Sequence, residues 1–381
     1  MSRRPRSLPP PPLEDDDLLT EILLRLPPQP CTLPRASAVS RRWRDLASDP
    51  RFSRRFRARH RRSAPLLGCF VQKSPYTIHF EAAQEPPNRI PPGRFSAPLA
   101  HASEIFRPLG CRHGLVLFFL DSSKQLLVWD PVVGDQHRLD IPPGVLRDIE
   151  YTAAAVLRPD GDVQRFQVVL VGTSDAQDTQ LVASVYSSEA GRWGDLVSTE
   201  LPSDGWVCTG MPAVMAGDSL YWRLYCDYFL EFDLGRRSLT LVPMPEAQVR
   251  TAAEGRDICV LLPQGGGLGF LSVSGFSAQL WERRMDRDGV ASWVLARTIA
   301  LGTLLSIQSG RCPFILGFGE NSNAVLLRTS VGVFTVQLES LEFKKICEDQ
   351  GQRCFYPFEC VYVADKAIDG GHDGAEPLQN T

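Results

Sequence analysis

No apolar run in this 381-residue chain approaches the roughly 18 residues that a helix needs to cross a membrane; the longest strongly apolar stretch, Leu115–Leu120, has the length of a strand. Strong net charge is missing as well: the formal value of −3 argues against a generally nucleic-acid-binding chain. The Met1-Ser2-Arg3-Arg4-Pro5 start has none of the apolar core of a secretory signal. Ten cysteines are scattered along the chain without the spacing of a disulfide framework, which fits free thiols in a reducing compartment. Together these absences predict a soluble protein of the cytosol, the nucleus or both, with no membrane partner.

Catalytic patterns are equally scarce. There is no Gly-x-Ser-x-Gly elbow, no phosphate loop with Lys after its last glycine, and no His-Glu-x-x-His. Gly265-Gly266-Gly267-Leu268-Gly269 lies between two strand-like runs without a helix to hold an anion, so it reads as a hairpin connection. Cys111 with His113, and Cys354 with Cys360, lack paired zinc spacing and read as core thiols and a loop imidazole. Asp15, Asp16 and Asp17 stand before a helical run, where they complement the macrodipole. The sequence therefore predicts no catalytic residue, no metal and no cofactor.

What is present begins at residue 13. Leu18, Ile22 and Leu26 recur four apart with Leu19 and Leu23 beside them, an apolar stripe at helical period that Pro27 and Pro28 stop. A second helix is expected to open near Thr32, with Pro34 in its first turn and Ala36, Val39, Trp43 and Leu46 along one face. Asp49-Pro50 is an N-cap followed by a first-turn proline, starting a third helix anchored by Phe52 and Phe56. Between Arg57 and Ser63 this helix is expected to fray into a basic junction. Three short helices of this kind cannot bury their apolar faces alone. Residues 41 to 62 also hold ten arginines against Asp45 and Asp49. Such a cluster could grip phosphates, but Trp43, Phe52 and Phe56 fall at apolar-face spacing, so packing explains the aromatics first.

The order Leu-Leu-x-Glu-Ile-Leu-x-Arg-Leu-Pro over 18–27, then Ala-Val-x-x-x-Trp over 38–43, then Asp-Pro-x-Phe over 49–52, resembles an F-box. The resemblance implies helices that dock on a Skp adaptor, which links to a cullin and a RING subunit. Leu18, Leu19, Ile22, Leu23, Leu26, Pro27, Val39 and Trp43 match the positions that the family uses for packing or for the adaptor. Two positions depart from the pattern: Leu13-Glu14 replaces the usual Leu-Pro, and Ser40 stands where Cys is common.

From about Leu66 the helical period gives way to short β-rich runs separated by turn residues. Leu115–Leu120, Gln125–Trp129 and Gln136–Ile141 form a three-strand meander, with turns at 121–123 and 130–134. The pattern returns at 166–193, 219–242, 268–299 and 324–346. A spacing of roughly 45 to 58 residues, with a meander in each unit, is that of propeller blades. With an irregular first unit around Phe70 to Phe80, about six blades are expected, and Val361 to Val363 would close the ring beside the first. Pro65-Leu66-Leu67-Gly68, Cys111-Arg112-His113-Gly114-Leu115-Val116-Leu117 and Val128-Trp129-Asp130-Pro131-Val132-Val133-Gly134-Asp135 resemble the F-box-associated β-propellers of plant F-box proteins, especially the large grass group.

The expected organisation is a Pro/Arg-rich leader over 1–12, a small all-α three-helix F-box over 13–60, an all-β propeller over 64–364 and a loose tail over 365–381. The resemblance implies a non-catalytic substrate-recognition subunit of an SCF-type ubiquitin ligase, with the propeller holding an unknown target protein, for which Trp206 and Tyr225 are candidate surface aromatics. The alternative is a propeller scaffold or carbohydrate-binding module with a degenerate F-box.

Overall fold

A computed structural model describes residues 15–97, 104–145, 152–159, 161–174, 180–201, 207, 211–224, 227–245, 258–263, 266–307, 310–348 and 354–363. The leader over 1–12, the tail over 365–381, Leu13, Glu14, Trp206, Tyr225 and Gly265 lie outside the described residues. No helix among the described residues is long and apolar enough to cross a membrane.

The amino-terminal region contains four α-helices, not three: α1 (Asp16–Leu24), α2 (Thr32–Ser37), α3 (Arg41–Ala47) and α4 (Pro50–His60). Asp15 caps α1 by accepting from the backbone N–H groups of Asp17 and Leu18, with Asp16 and Asp17 in the first turn. The expected second helix is broken at Ser40, whose backbone is extended and whose hydroxyl accepts from the Trp43 N–H at 3.2 Å. That cap starts α3 afresh and turns Val39 out of the apolar row in which an unbroken helix would have kept it. Asp49 caps α4 and Pro50 fills its first turn. The expected fraying after Arg57 does not occur: α4 runs to His60 and passes into a 3-10 turn over Arg61–Ser63.

The remaining described residues build a six-bladed β-propeller. Its strands are β1 (Leu66–Ser74) and β2 (Thr77–Ala82); β3 (Phe106–Arg112), β4 (Leu115–Leu120), β5 (Gln125–Trp129) and β6 (Gln136–Asp140); then β7 (Ala153–Leu157), β8 (Gln167–Thr173), β9 (Gln180–Ser187), β10 (Arg192–Trp193) and β11 (Val197–Glu200). They continue as β12 (Val214–Ala216), β13 (Ser219–Arg223), β14 (Tyr228–Asp233) and β15 (Ser238–Pro243); β16 (Ile258–Leu261), β17 (Gly269–Ser274), β18 (Ser277–Met285) and β19 (Ala291–Ala300); β20 (Phe314–Gly319), β21 (Ala324–Thr329), β22 (Gly332–Gln337) and β23 (Phe343–Cys347); and finally β24 (Cys354–Glu359). Blades 2 to 6 are antiparallel meanders in chain order, and blade 1 is the sheet β2-β1-β24.

The ring therefore closes through β24, not through Val361 to Val363. Leu66 pairs with Glu359 and Gln72 with Cys354, which joins the last strand to the first. Val361 and Val363 instead leave the ring and pack into the helical core.

Strand β4 shows why an uninterrupted apolar run suits a blade. Val116, Phe118 and Leu120 face the layer shared with blade 1, while Leu115, Leu117 and Phe119 face the layer shared with blade 3. Side chains alternate across a strand, and both faces of a blade are covered, so every position is apolar. The layer between blades 1 and 2 is rich in aromatics: Phe70, Phe80, Phe95 and Phe358 meet at centroid distances of 4.9 to 6.3 Å. Edge contacts among such rings add to the area they bury.

Candidate functional site

Two regions concentrate side chains whose placement goes beyond core packing. The first is the helical surface. Leu19 and Leu23 are fully buried with Leu24, Leu33, Ala36, Ala47, Phe52 and Phe56, and Val361 and Val363 complete that core. One step around α1, Leu18 and Ile22 stay 50% and 40% exposed, and Val39 is 64% exposed at the α2–α3 corner. Arg42 pairs with Asp16 at 2.7 Å, tying the first turn of α3 to that of α1. Pro27 is exposed, and Leu26 and Trp43 are half-buried against the core. The expected adaptor set thus splits: Leu18, Ile22, Pro27 and Val39 face solvent, Leu26 and Trp43 sit at the margin, and Leu19 and Leu23 are sealed inside. The last two cannot touch another chain without opening the helical core, so their role is to hold α1 against α4.

The second region is the joint between helices and propeller, where two of the three propeller sequence motifs meet. His113 and Gly114 form the two-residue turn between β3 and β4, with φ of 53° and 76°. A turn with positive φ at both central positions matches the twist of a hairpin, and a Cβ on Gly114 would come within 2.9 Å of Cys360 Sγ. His113 Nδ1 accepts the Arg158 N–H at 3.0 Å, so the proton of the neutral ring is on Nε2. Burial, followed by the charges of Arg112, Arg61 and Arg158, pulls His113 down to about 2 and keeps it neutral.

Asp130, the acid of the Trp129-Asp130 pair, accepts from the Val132 and Val133 N–H groups and forms a buried ion pair with Arg158 at 2.9 Å. From the helical side the buried Arg61 guanidinium donates to the carbonyls of Arg158 and Pro159 at 3.0 and 2.5 Å. His60 Nε2 lies 2.8 Å from the Leu24 carbonyl, which can only accept, so it too carries its proton there. Part of the arginine cluster is thereby structural: Arg61 holds the joint, and Arg42 and Arg55 pair with Asp16 and Glu21 within the helices.

Beside this joint the central channel opens into a small pocket lined by residues such as Arg112, His113, Glu320 and Glu359. Arg112 pairs with Glu320 and donates to the Ala213 carbonyl at 2.7 Å. The Glu359 carboxylate accepts from the N–H groups of Asn321 and Ser322. Burial nevertheless pushes Glu359 above the usual carboxylate range, against the lowering effect of those hydrogen bonds. These charged groups all bond within the chain, so the arrangement stitches blades 1, 2, 4 and 6 across the channel. Burial raises the Cys111 thiol and pushes Cys360 up to about 12. No group of three or more His, Cys, Asp or Glu placed to hold a metal occurs among the described residues.

Sequence reasoning missed Arg158, Glu320 and Glu359. Arg158 had one local signal, a charged residue directly after the continuous apolar run Ala153–Leu157. The two glutamates had none, because their partners come from other blades.

An F-box-like family model matches residues 16–59. The family described as F-box protein AT5G49610-like, beta-propeller matches residues 109–362. The chain is also similar to the F-box/kelch-repeat protein At3g23880 of Arabidopsis thaliana, 25% identical over 196 residues that make up 49% of this chain and 52% of that protein. It thus spans about half the length of that curated relative.

Proposed function

Because the chain belongs to the AT5G49610-like F-box proteins with a β-propeller, we propose that it is the substrate-recognition subunit of an SCF-type ubiquitin ligase. Residues 13–60 act as the F-box that docks on a Skp adaptor, and residues 64–364 present a target protein. The observation that carries this reading is the exposure of Leu18, Ile22 and Val39 on helices whose core is already complete. Isolated exposed apolar residues are common, but three large ones on a unit this small mark a surface that another chain covers.

The strand directions suggest where the target binds. Asp130 and Arg158, at the ends of β5 and β7, face the helices, so the opposite ends of the blades face away. The connections from one blade to the next run from those far ends, which leaves the far rim free to vary in loop sequence. Catalysis then belongs to the conjugating enzyme recruited through cullin and RING subunits, and this chain supplies proximity by raising the local concentration of target lysines.

The test is binding of the full chain to a purified Skp-type adaptor. Ile22→Asp, with a charge placed at an exposed apolar position, is expected to weaken binding about 100-fold or more, equivalent to roughly 3 kcal/mol, while the circular dichroism spectrum is retained. A matching Val331→Asp, on the exposed β21–β22 turn, should leave binding unchanged. Undiminished binding by Ile22→Asp would overturn the proposal.

A further inference from the structure

Blade 5 carries a feature that neither adaptor docking nor target binding at the far rim uses. Its outer strand, β19, has 10 residues and ends the sheet, so that among the described residues nothing pairs with its outer edge. The free N–H and C=O groups of such an edge are complementary to one kind of ligand, another extended strand.

Sheets usually protect their edges with charge, proline, bulges or short length, and the other blades here do so. β6 carries His137, Arg138 and Asp140; β23 carries Lys344 and Lys345; β2 carries His79 and Glu81. β10 and β11 have 2 and 4 residues, and β15 ends on Pro243. In β19 the protection covers only the second half. A register shift after Leu295 is followed by Arg297, whose guanidinium donates to the carbonyls of Leu338 and Glu339 at 3.0 and 3.2 Å.

The first half, Ala291-Ser292-Trp293-Val294-Leu295, has no charge, and Val294 and Leu295 are exposed together with Met285 and Val290 at the hairpin tip. It is also held in place before any partner arrives. Trp293 packs edge-on against Phe270 at 4.9 Å, and its indole N–H donates to the Pro243 carbonyl at 2.8 Å.

We propose that the Ala291–Leu295 edge is a self-association site, where two copies of the chain pair antiparallel about a two-fold axis at Trp293 and join two four-stranded blades into one continuous sheet. The sequence of the edge suits a second copy. In that register Ala291 lies opposite Leu295 and Ser292 opposite Val294, so no charge meets a like charge across the pair, and the contact is self-complementary as a two-fold interface requires. The edge is small beside the roughly 800 Å² per partner of a standard interface. The dimer is therefore a reversible one whose population rises with concentration.

Sedimentation equilibrium of the full chain over a concentration series tests this. The expected result is a monomer–dimer equilibrium that Val294→Lys/Leu295→Lys weakens about tenfold or more. Both side chains are exposed, and an unchanged thermal transition of the variant would show that its fold is kept. Val331→Lys, which removes another exposed apolar residue away from this edge, should leave association as in the parent. A chain that stays monomeric at every concentration, including one that pairs only with a foreign strand, overturns the proposal. So does a dimer indifferent to the double lysine variant or equally lost in Val331→Lys.

Discussion

Replacing Val361 and Val363 together by alanine tests whether the helical unit depends on the propeller for its own core. Both valines are buried among Leu19, Leu23, Phe52 and Phe56, yet they follow the strand that closes the ring. Each replacement removes two buried methyl groups, about 1.6 kcal/mol at ~0.8 kcal/mol per buried carbon. The cavities left behind bring the pair to roughly 3–5 kcal/mol. A unit of this size has a stability of about 2–7 kcal/mol, at 0.05–0.15 kcal/mol per residue, so the loss is comparable to the whole. The ring should persist, because the pairing of β24 with β1 ends at Glu359. Hydrogen exchange read by mass spectrometry separates the two parts: amides of α1 and α4 are expected to exchange about 100-fold faster or more, while those of β8 and β17 keep their protection. Equal protection of α1 and α4 in the double variant and the parent would refute the dependence. The same reasoning says that a fragment ending at Ser63, which lacks both valines, is a poor stand-in for the F-box in binding work.

Asp130→Asn leaves the Arg158 guanidinium buried without its counter-charge, and removal of one partner of a buried pair costs about 3–5 kcal/mol. Urea unfolding is expected to show that loss, with Asp130→Asn/Arg158→Met less destabilised than the sum of the two single variants; simple additivity would contradict a coupled pair. His113→Asn addresses the pH dependence. The folded imidazole refuses a proton down to about pH 2 while the unfolded one binds it near 6.5, so below 6.5 the unfolded state takes up more protons and stability falls as pH falls. Asparagine does not titrate and tolerates the positive φ of the turn. The melting temperature of the variant is therefore expected to decline less steeply with acid over that window, and an unchanged slope would remove His113 as the cause.

The legible parts of this chain are those in which local pattern and tertiary burial coincide. Strands β4, β5 and β6 were readable nearly to the residue because the Asp121-Ser122-Ser123 turn and the Asp130–Gly134 turn separate runs whose burial the apolar pattern reports. The innermost strands were not. β3 contains Pro108 and Gly110, which read as breakers in sequence; in the fold Gly110 has a φ of 154°, a conformation that side-chain-bearing residues rarely adopt, and a Cβ there would lie 3.1 Å from Pro212. Ser40 departs from the F-box pattern, but its role as the cap that divides two helices depends on a single backbone rotation that hydrophobic spacing does not encode. Periodicity likewise could not divide Leu18 and Ile22 from Leu19 and Leu23, since all four fall within one wide stripe. What divides them is the angle at which α4 and the carboxyl-terminal valines cover α1.

The joint also bears on how the two surfaces would work together. A linker between helices and propeller would let the target swing, and its effective concentration at the adaptor would fall as the linker lengthened. Here α4 passes into Arg61 without a break, Arg61 grips the carbonyls of Arg158 and Pro159, and the chain returns after Glu359 to place Val361 and Val363 beneath α1. With both ends of the propeller fastened to the helices, the distance from Leu18, Ile22 and Val39 to the far rim is a property of the fold. In the proposed ligase role, which lysines of a target come within reach is then decided by where the target sits on that rim.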